Sequence, residues 1–407
     1  MPTEEKLKLL KNIRVVDLTR VLSGPFCTRM LSDLGAEVIK VESGRGDPVR
    51  QTPPLKGGFA SLFTQCNVGK KSLGINLRHP QGVELIKKII AVSDVLIENF
   101  RPGVIDQMGL GYPVLKEINP RIILCSISGF GQTGSEAHRL AYTDEIQAYS
   151  GMDYMLASMM GPDADPPGYP LSFADTYASL NAAVAILAAL YHRQLTGEGQ
   201  SIDISMLDCI LAANDSTLQQ FIFSDGALEA PGIAFRPPFR MKDGHMSAAL
   251  ALQFERVARA IGHPELLEDE RFKTMEARHR QENFKQFFQM VREWAKDTTV
   301  EEATKIFEEN EIPYSKVNTV AEVVQSRVVR ERNMLVETEL PNHGPVRVVN
   351  TPFHFSGGPS RPQGPPPRLG EHNRKILGEL MGLSDSDIDA LTREKILVQE
   401  EEASSAS

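Results

Sequence analysis

Asp175 lies within Pro170–Tyr177, directly before a run from Tyr177 to Leu195 dominated by Ala, Leu, Val and Ile. That run reads as a buried helix, so Asp175 stands at a helix head. Two chemistries fit a carboxylate there. As an N-cap it accepts bonds from backbone N–H groups that the first turn leaves unpaired. As a poorly solvated anion, kept ionised by the positive end of the helix dipole, it can attack an electrophilic carbon. The local sequence admits both. Metal chemistry finds no ligand set in the cysteines. Cys27, Cys66, Cys125 and Cys209 are far apart, form no CxxC pair and read as reduced thiols of a cytoplasmic protein.

The elements that must position Asp175 form an alternating series. Ile13–Leu18 reads as a strand, Ser23-Gly24-Pro25 opens a helix that Gly35 stops, and Glu37–Glu42 reads as the next strand. This βαβ unit implies a parallel sheet. A helix over His79–Ser93, a strand over Asp94–Glu98 and a strand over Arg121–Ile127 extend the series to about Ser135. The result is a doubly wound α/β domain. Its first βα turn, Thr19–Pro25, lacks GxGxxG, which argues against NAD or FAD. Gln200–Leu207 reads as one more strand entering a helix.

A chain of 407 residues calls for two lobes, and 41% hydrophobic with 24% charged residues suits a globular protein. The net charge of −9 argues against nucleic acid as the main partner, because phosphate binding needs a basic face. The charged start, Met1–Lys11, lacks a signal-peptide core, and no apolar run free of polar residues reaches the length of a membrane span. The texture changes near Gly226. Turn-rich Arg236–Arg240 and Lys242–His245 lead into charged amphipathic helices up to about Ala321. Strands return at Leu335–Leu340 and Pro345–Val349, followed by Pro- and Gly-rich Gly357–Pro367 and a last helical segment after Leu369–Asn373. The expected division is 1–226 as a large α/β domain, 227–325 as a smaller α+β domain, and 326–407 ending in a disordered tail from Glu400.

Several stretches together resemble the class III CoA-transferases, which are related to the α-methylacyl-CoA racemases. They are Asp17–Pro25, Leu34–Glu42, Glu98–Gly103, Ser126–Gly134, Thr196–Gln200 and Leu369–His372, in the family's order along nearly the whole chain. The resemblance implies a Rossmann-like large domain, a small domain, a C-terminal return to the large domain, and two chains interlocked as a homodimer or with a paralogous subunit. It makes Asp175 the nucleophile of a transfer of CoA from an acyl-CoA to a small carboxylic acid. That chemistry passes through aspartyl anhydride and aspartyl-CoA thioester intermediates and needs a water-shielded site with oxyanion donors. CoA is a substrate here; no tightly bound cofactor and no metal are implied.

The resemblance also places Val21, Leu22, Ser23, Arg45, Lys70, Lys71, Asn99, Phe100, Arg101, Met108 and Arg139 around CoA. Asn99–Arg101 follow a strand, so the general rule for ligands at the carboxyl ends of open sheets points the same way. Taken alone, Lys70-Lys71 reads as a solvated surface and Met108 as a core residue. The related racemases carry a His where this chain has Tyr142, and Tyr is a poor base at neutral pH. Formyl-CoA transferases carry a glycine-rich loop where this chain reads Met246–Gln253 without glycine, which points away from formate and oxalate toward a larger or more apolar acid. A branched or aromatic dicarboxylate such as benzylsuccinate, with succinyl-CoA as donor, is the expected pair. The alternatives are a 2-methylacyl-CoA racemase and a non-catalytic CoA-binding subunit of a heteromer.

Overall fold

The computed structural model describes residues 8–160, 163–214, 217–226 and 238–400. Contacts divide the chain into two units, Met1–Ala213 with Arg330–Ser407 and Asn214–Val329. The cuts fall at Ala213 and Val329, against the expected 226 and 325.

The first unit is built on a six-stranded sheet. Its spatial order is Lys71–Gly74, Glu37–Glu42, Arg14–Asp17, Val95–Glu98, Ile123–Ser128 and Ser201–Ser205. All neighbours pair in parallel. In chain order this reads 3-2-1-4-5-6, the doubly wound arrangement in which the path reverses between the first and fourth strands. The inner strands are largely apolar and buried because both faces are covered. Val15, Val38, Val95 and Ile123 belong to one apolar layer, with Met30 from the helix Ser23–Asp33 and Ala178, Ala182 and Ile186 from the long helix Phe173–Thr196. Val16, Ile39, Leu96 and Leu124 belong to the other, with Ile86 and Ile89 from the helix Pro80–Ala91 and Ile376 and Leu377 from the helix Asn373–Met381. The C-terminal segment lies along the edge strand, where Asn373 Oδ1 accepts from Gly74 N–H at 2.8 Å.

The second unit carries a three-stranded antiparallel sheet, ordered Tyr314–Lys316, His245–Ala248, Phe239–Arg240. Helices including Phe254–Ala260, Gln281–Asp297 and Val300–Glu309 accompany it, around a core rich in Phe254, Phe272, Phe287 and Phe307. Arg236 and Pro237 of the turn-rich stretch and the tail beyond Glu400 lie outside the described residues.

Candidate active site at the strand switch point

The first and fourth strands, Arg14–Asp17 and Val95–Glu98, lie side by side, and their C-terminal loops leave in different directions. That is where an open α/β sheet forms its crevice. A cavity of about 660 Å³ opens there, lined by Val21 and Ser23 after the first strand, Asn99, Phe100 and Arg101 after the fourth, Arg139, Tyr142 and Asp175. The structure therefore brings together six of the expected CoA contacts with the expected nucleophile.

Asp175 is not the N-cap. The long helix begins at Phe173, which places Asp175 in its first turn, and the cap residue Ser172 makes no side-chain cap bond. The Phe173 N–H instead donates to Gln147 Oε1 at 2.9 Å, from the neighbouring helix Thr143–Tyr149, and to the Leu171 carbonyl at 3.0 Å. The Asp175 carboxylate is thereby left for another partner. Its neighbour in the cavity is Ser23, the first residue of the helix Ser23–Asp33, whose hydroxyl and N–H both pull the carboxyl pKa down. The Ser179 hydroxyl sits between the carbonyls of Ser23 at 2.6 Å and Asp175 at 2.7 Å, tying the two helix starts together. Both helix N-termini favour the anion. Burial works against them and wins, with Asp144 adding repulsion, and pushes Asp175 up to about 6 against the pull of Ser23. An attacking carboxylate must be ionised. CoA transfer is thus expected to fall on the acid side with an apparent pKa near 6, and a rate profile from pH 4.5 to 8.5 measures it.

The loop that offers Ser23 is held by buried charges. Asp17, at the end of the first strand, accepts from Thr19 N–H at 2.9 Å, from the Thr28 hydroxyl at 2.6 Å and from Lys70 Nζ at 3.0 Å. Burial would raise its pKa, but Lys70 and Lys40 hold it at about 2. Gly24 is required by close approach, since a Cβ there would lie 2.1 Å from Thr19 Cγ2. Across the crevice, Asn99 Oδ1 accepts from Arg20 N–H at 2.8 Å and its amide lies 3.3 Å from the Ser23 hydroxyl. Arg20 lies 5.1 Å over the Phe100 ring. Glu98 is buried beneath this turn, where it accepts from Phe100 N–H at 2.6 Å. Burial pushes Glu98 up to about 7, opposed by Ser126 and Phe100. Arg139 lies 5.3 Å over Phe130 and 5.2 Å over Tyr149, and pairs with Glu136 at 3.0 Å.

Five expected contacts stand elsewhere. Lys70 is corrected on physical grounds. It is fully buried, and its three N–H donors meet Asp17, the Pro25 carbonyl at 2.9 Å and Asn67 Oδ1 at 2.8 Å, leaving none for a phosphate. Lys71 begins its strand at the amino edge of the sheet, opposite the cavity, and pairs with Glu37. Leu22 lends its carbonyl to Phe26 N–H at 2.9 Å and does not line the cavity. Met108 packs against the apolar layer of Ile86 and Leu96, and Arg45 is exposed and does not line the cavity. Gln147, which holds the Phe173 N–H, and Asp47, which accepts from the Val21 N–H at 3.2 Å, carry no local sequence signal. Their roles depend on partners many residues away.

The family model described as CoA-transferase family III matches residues 10–373. The chain belongs to CoA-transferase family III. It is 33% identical to the succinyl-CoA:glutarate CoA-transferase of Mus musculus over 98% of this chain and 92% of that protein. It is 31% identical to the succinyl-CoA–D-citramalate CoA-transferase of Chloroflexus aurantiacus over 98% of this chain and all of that one. A crystal structure of a CAIB/BAIF family protein from Brucella suis superposes with a TM-score of 0.79 at 33% identity, covering 92% of this chain and 100% of that one. This transferase accordingly acts between a CoA thioester and a carboxylic acid.

Proposed function

We propose that the transferase moves CoA from succinyl-CoA to a short aliphatic dicarboxylic acid through covalent intermediates on Asp175. The observation that carries this reading is the half-buried Asp175 carboxylate, lining the cavity at the strand switch point beside Ser23. Its carboxylate attacks the thioester carbonyl and expels CoA thiolate, leaving a mixed anhydride. The thiolate attacks the Asp175 carbonyl, releases succinate and leaves an aspartyl-CoA thioester. The acceptor carboxylate repeats the two steps in reverse and regenerates Asp175. One negative charge is conserved throughout, and no proton transfer is needed. Ser23 N–H and hydroxyl lie at the reacting carboxyl and serve the oxyanions that form on it.

Arg20, Arg101 and Arg139 make the cavity cationic in a chain of net charge −9, which suits the CoA phosphates and a second carboxylate. The donor and acceptor choice rests on relatives named for succinyl-CoA, glutarate and citramalate. These aliphatic acids are favoured over benzylsuccinate. A second chain is part of the proposal, supported by Leu180, Val184, Tyr191 and Leu195, which the long helix leaves exposed. The test is mass spectrometry of the purified protein with succinyl-CoA and a panel of glutarate, citramalate, malate, benzylsuccinate and monocarboxylates. New dicarboxyl-CoA products support the reading. Deuterium uptake at an acyl α-carbon without exchange of acids would replace it with a racemase.

A further inference from the structure

The turn between the first strand and the helix Ser23–Asp33 contains a conformation that its own residue types do not favour. Val21 has φ of 68°, the left-handed region, where a β-branched side chain is strained. Such a residue persists only if its surroundings hold it. The Val21 N–H donates to both carboxylate oxygens of Asp47, at 3.2 Å each. Asp47 is itself fully enclosed. It accepts from Lys40 Nζ at 2.9 Å and from Val49 N–H at 3.1 Å, and its own N–H donates to Glu42 Oε1 at 2.9 Å. Lys40 also donates to the Thr19 carbonyl at 3.0 Å, on the other side of the same turn. Neither member of the pair lines the cavity.

We infer that the buried Lys40–Asp47 pair is a positioning device for the transfer reaction, clamping Thr19 and Val21 so that Ser23 presents its N–H and hydroxyl to Asp175. The chain of contacts is continuous. Lys40 and Asp47 fix the turn, the turn sets the first residue of the helix, and that residue is joined to Asp175 through the Ser179 hydroxyl and shares the cavity wall with its carboxylate. A pair kept only for stability would be an expensive choice, since two buried charges often give no more than well-packed apolar residues of equal volume. Its geometry is explained if it serves the turn. The inference rests on Asp175 being the nucleophile.

Two variants test it, Asp47→Asn and the double variant Lys40→Met with Asp47→Leu. The first leaves Lys40 without its ion-pair partner. The second removes both charges together and is the one expected to fold as the parent does. In each, Ser23 is released and Asp175 loses donors to its charged form. The acid limb of the rate profile should then rise by about one pH unit, because hydrogen bonds to a carboxylate lower its pKa. Turnover at pH 8 should fall about tenfold, by more than any change in KM for the acyl-CoA, because the acid is held but misaligned. The charged groups near Asp175 in this profile are Asp144 and the cavity arginines Arg20, Arg101 and Arg139; those near Asp47 are Lys40, Glu42, Arg50 and Asp17 with Lys70. Apart from Lys40 in the double variant, none of these groups is changed.

A folded double variant with the parent's acid limb and turnover overturns the inference. Loss of the fold in both variants also overturns it, by making the pair a stabiliser. An Asp175→Ala control run alongside separates the two levels of the argument. If that control keeps its turnover, the nucleophile reading fails. If it is dead while the double variant is unaltered, the clamp alone fails.

Discussion

Asp175→Ala is expected to abolish CoA transfer, by at least about a thousandfold in kcat, while leaving the fold intact. Among the described residues no other carboxylate lines the cavity to take over the attack. The stability of the variant supplies a second signature. The folded protein holds the Asp175 proton more tightly than the unfolded chain, at about 6 against 3.8. Below pH 3.8 the group is protonated in both states and costs nothing. As pH rises through 6 the cost of keeping the ionised group in its half-buried place grows to its full value. That value is capped at roughly 3 kcal/mol and is reduced by partial solvent exposure. Asp175→Ala should therefore unfold at or above the parent's midpoint at pH 8, and the difference should shrink toward pH 4. Denaturation at both pH values measures it. A variant that loses its fold at pH 8 would make Asp175 a structural residue.

Lys70→Met is expected to cost about 3–5 kcal/mol of stability, read as a lower urea midpoint, because it strands the buried Asp17 carboxylate. The same substitution tests the alternative role for this lysine. A residue that binds a CoA phosphate would raise KM for the acyl-CoA and leave the unfolding midpoint alone. Three acceptors already surround Lys70 Nζ, so the stability effect should dominate. Some loss of turnover should accompany it, since Asp17 also holds Thr19 at the head of the turn that leads to Ser23.

The parallel sheet was readable because its strands are enclosed on both faces, and continuous apolar runs such as Val38-Ile39 and Leu96-Ile97 carry that burial in their residue types. Glu37–Glu42 was located to the residue. The start of the long helix was misplaced, and the cause is specific. Its first N–H is satisfied by Gln147, twenty-six positions upstream, so the local rule that an Asp at a helix head is the cap had no purchase. The cavity side of the site was partly legible for the same reason as the sheet, since residues directly after strands one and four must lie at the carboxyl edge. Lysines were the least legible group. Lys70 and Lys71 are adjacent, yet one is inside the molecule and the other at the far edge of the sheet.

By itself, then, the sequence determined the alternation of strand and helix, the doubly wound class, and the place of an acidic side chain at the head of the longest apolar helix. These follow from periodicity and end signals that act over a few residues. Only the tertiary structure decided that Asp175 lies beside Ser23, that Lys70 is a scaffold cation, and that Asp47 holds a strained Val21. Desolvation and charge pairing are set by groups brought together from distant parts of the chain, and no local pattern encodes which of them will meet.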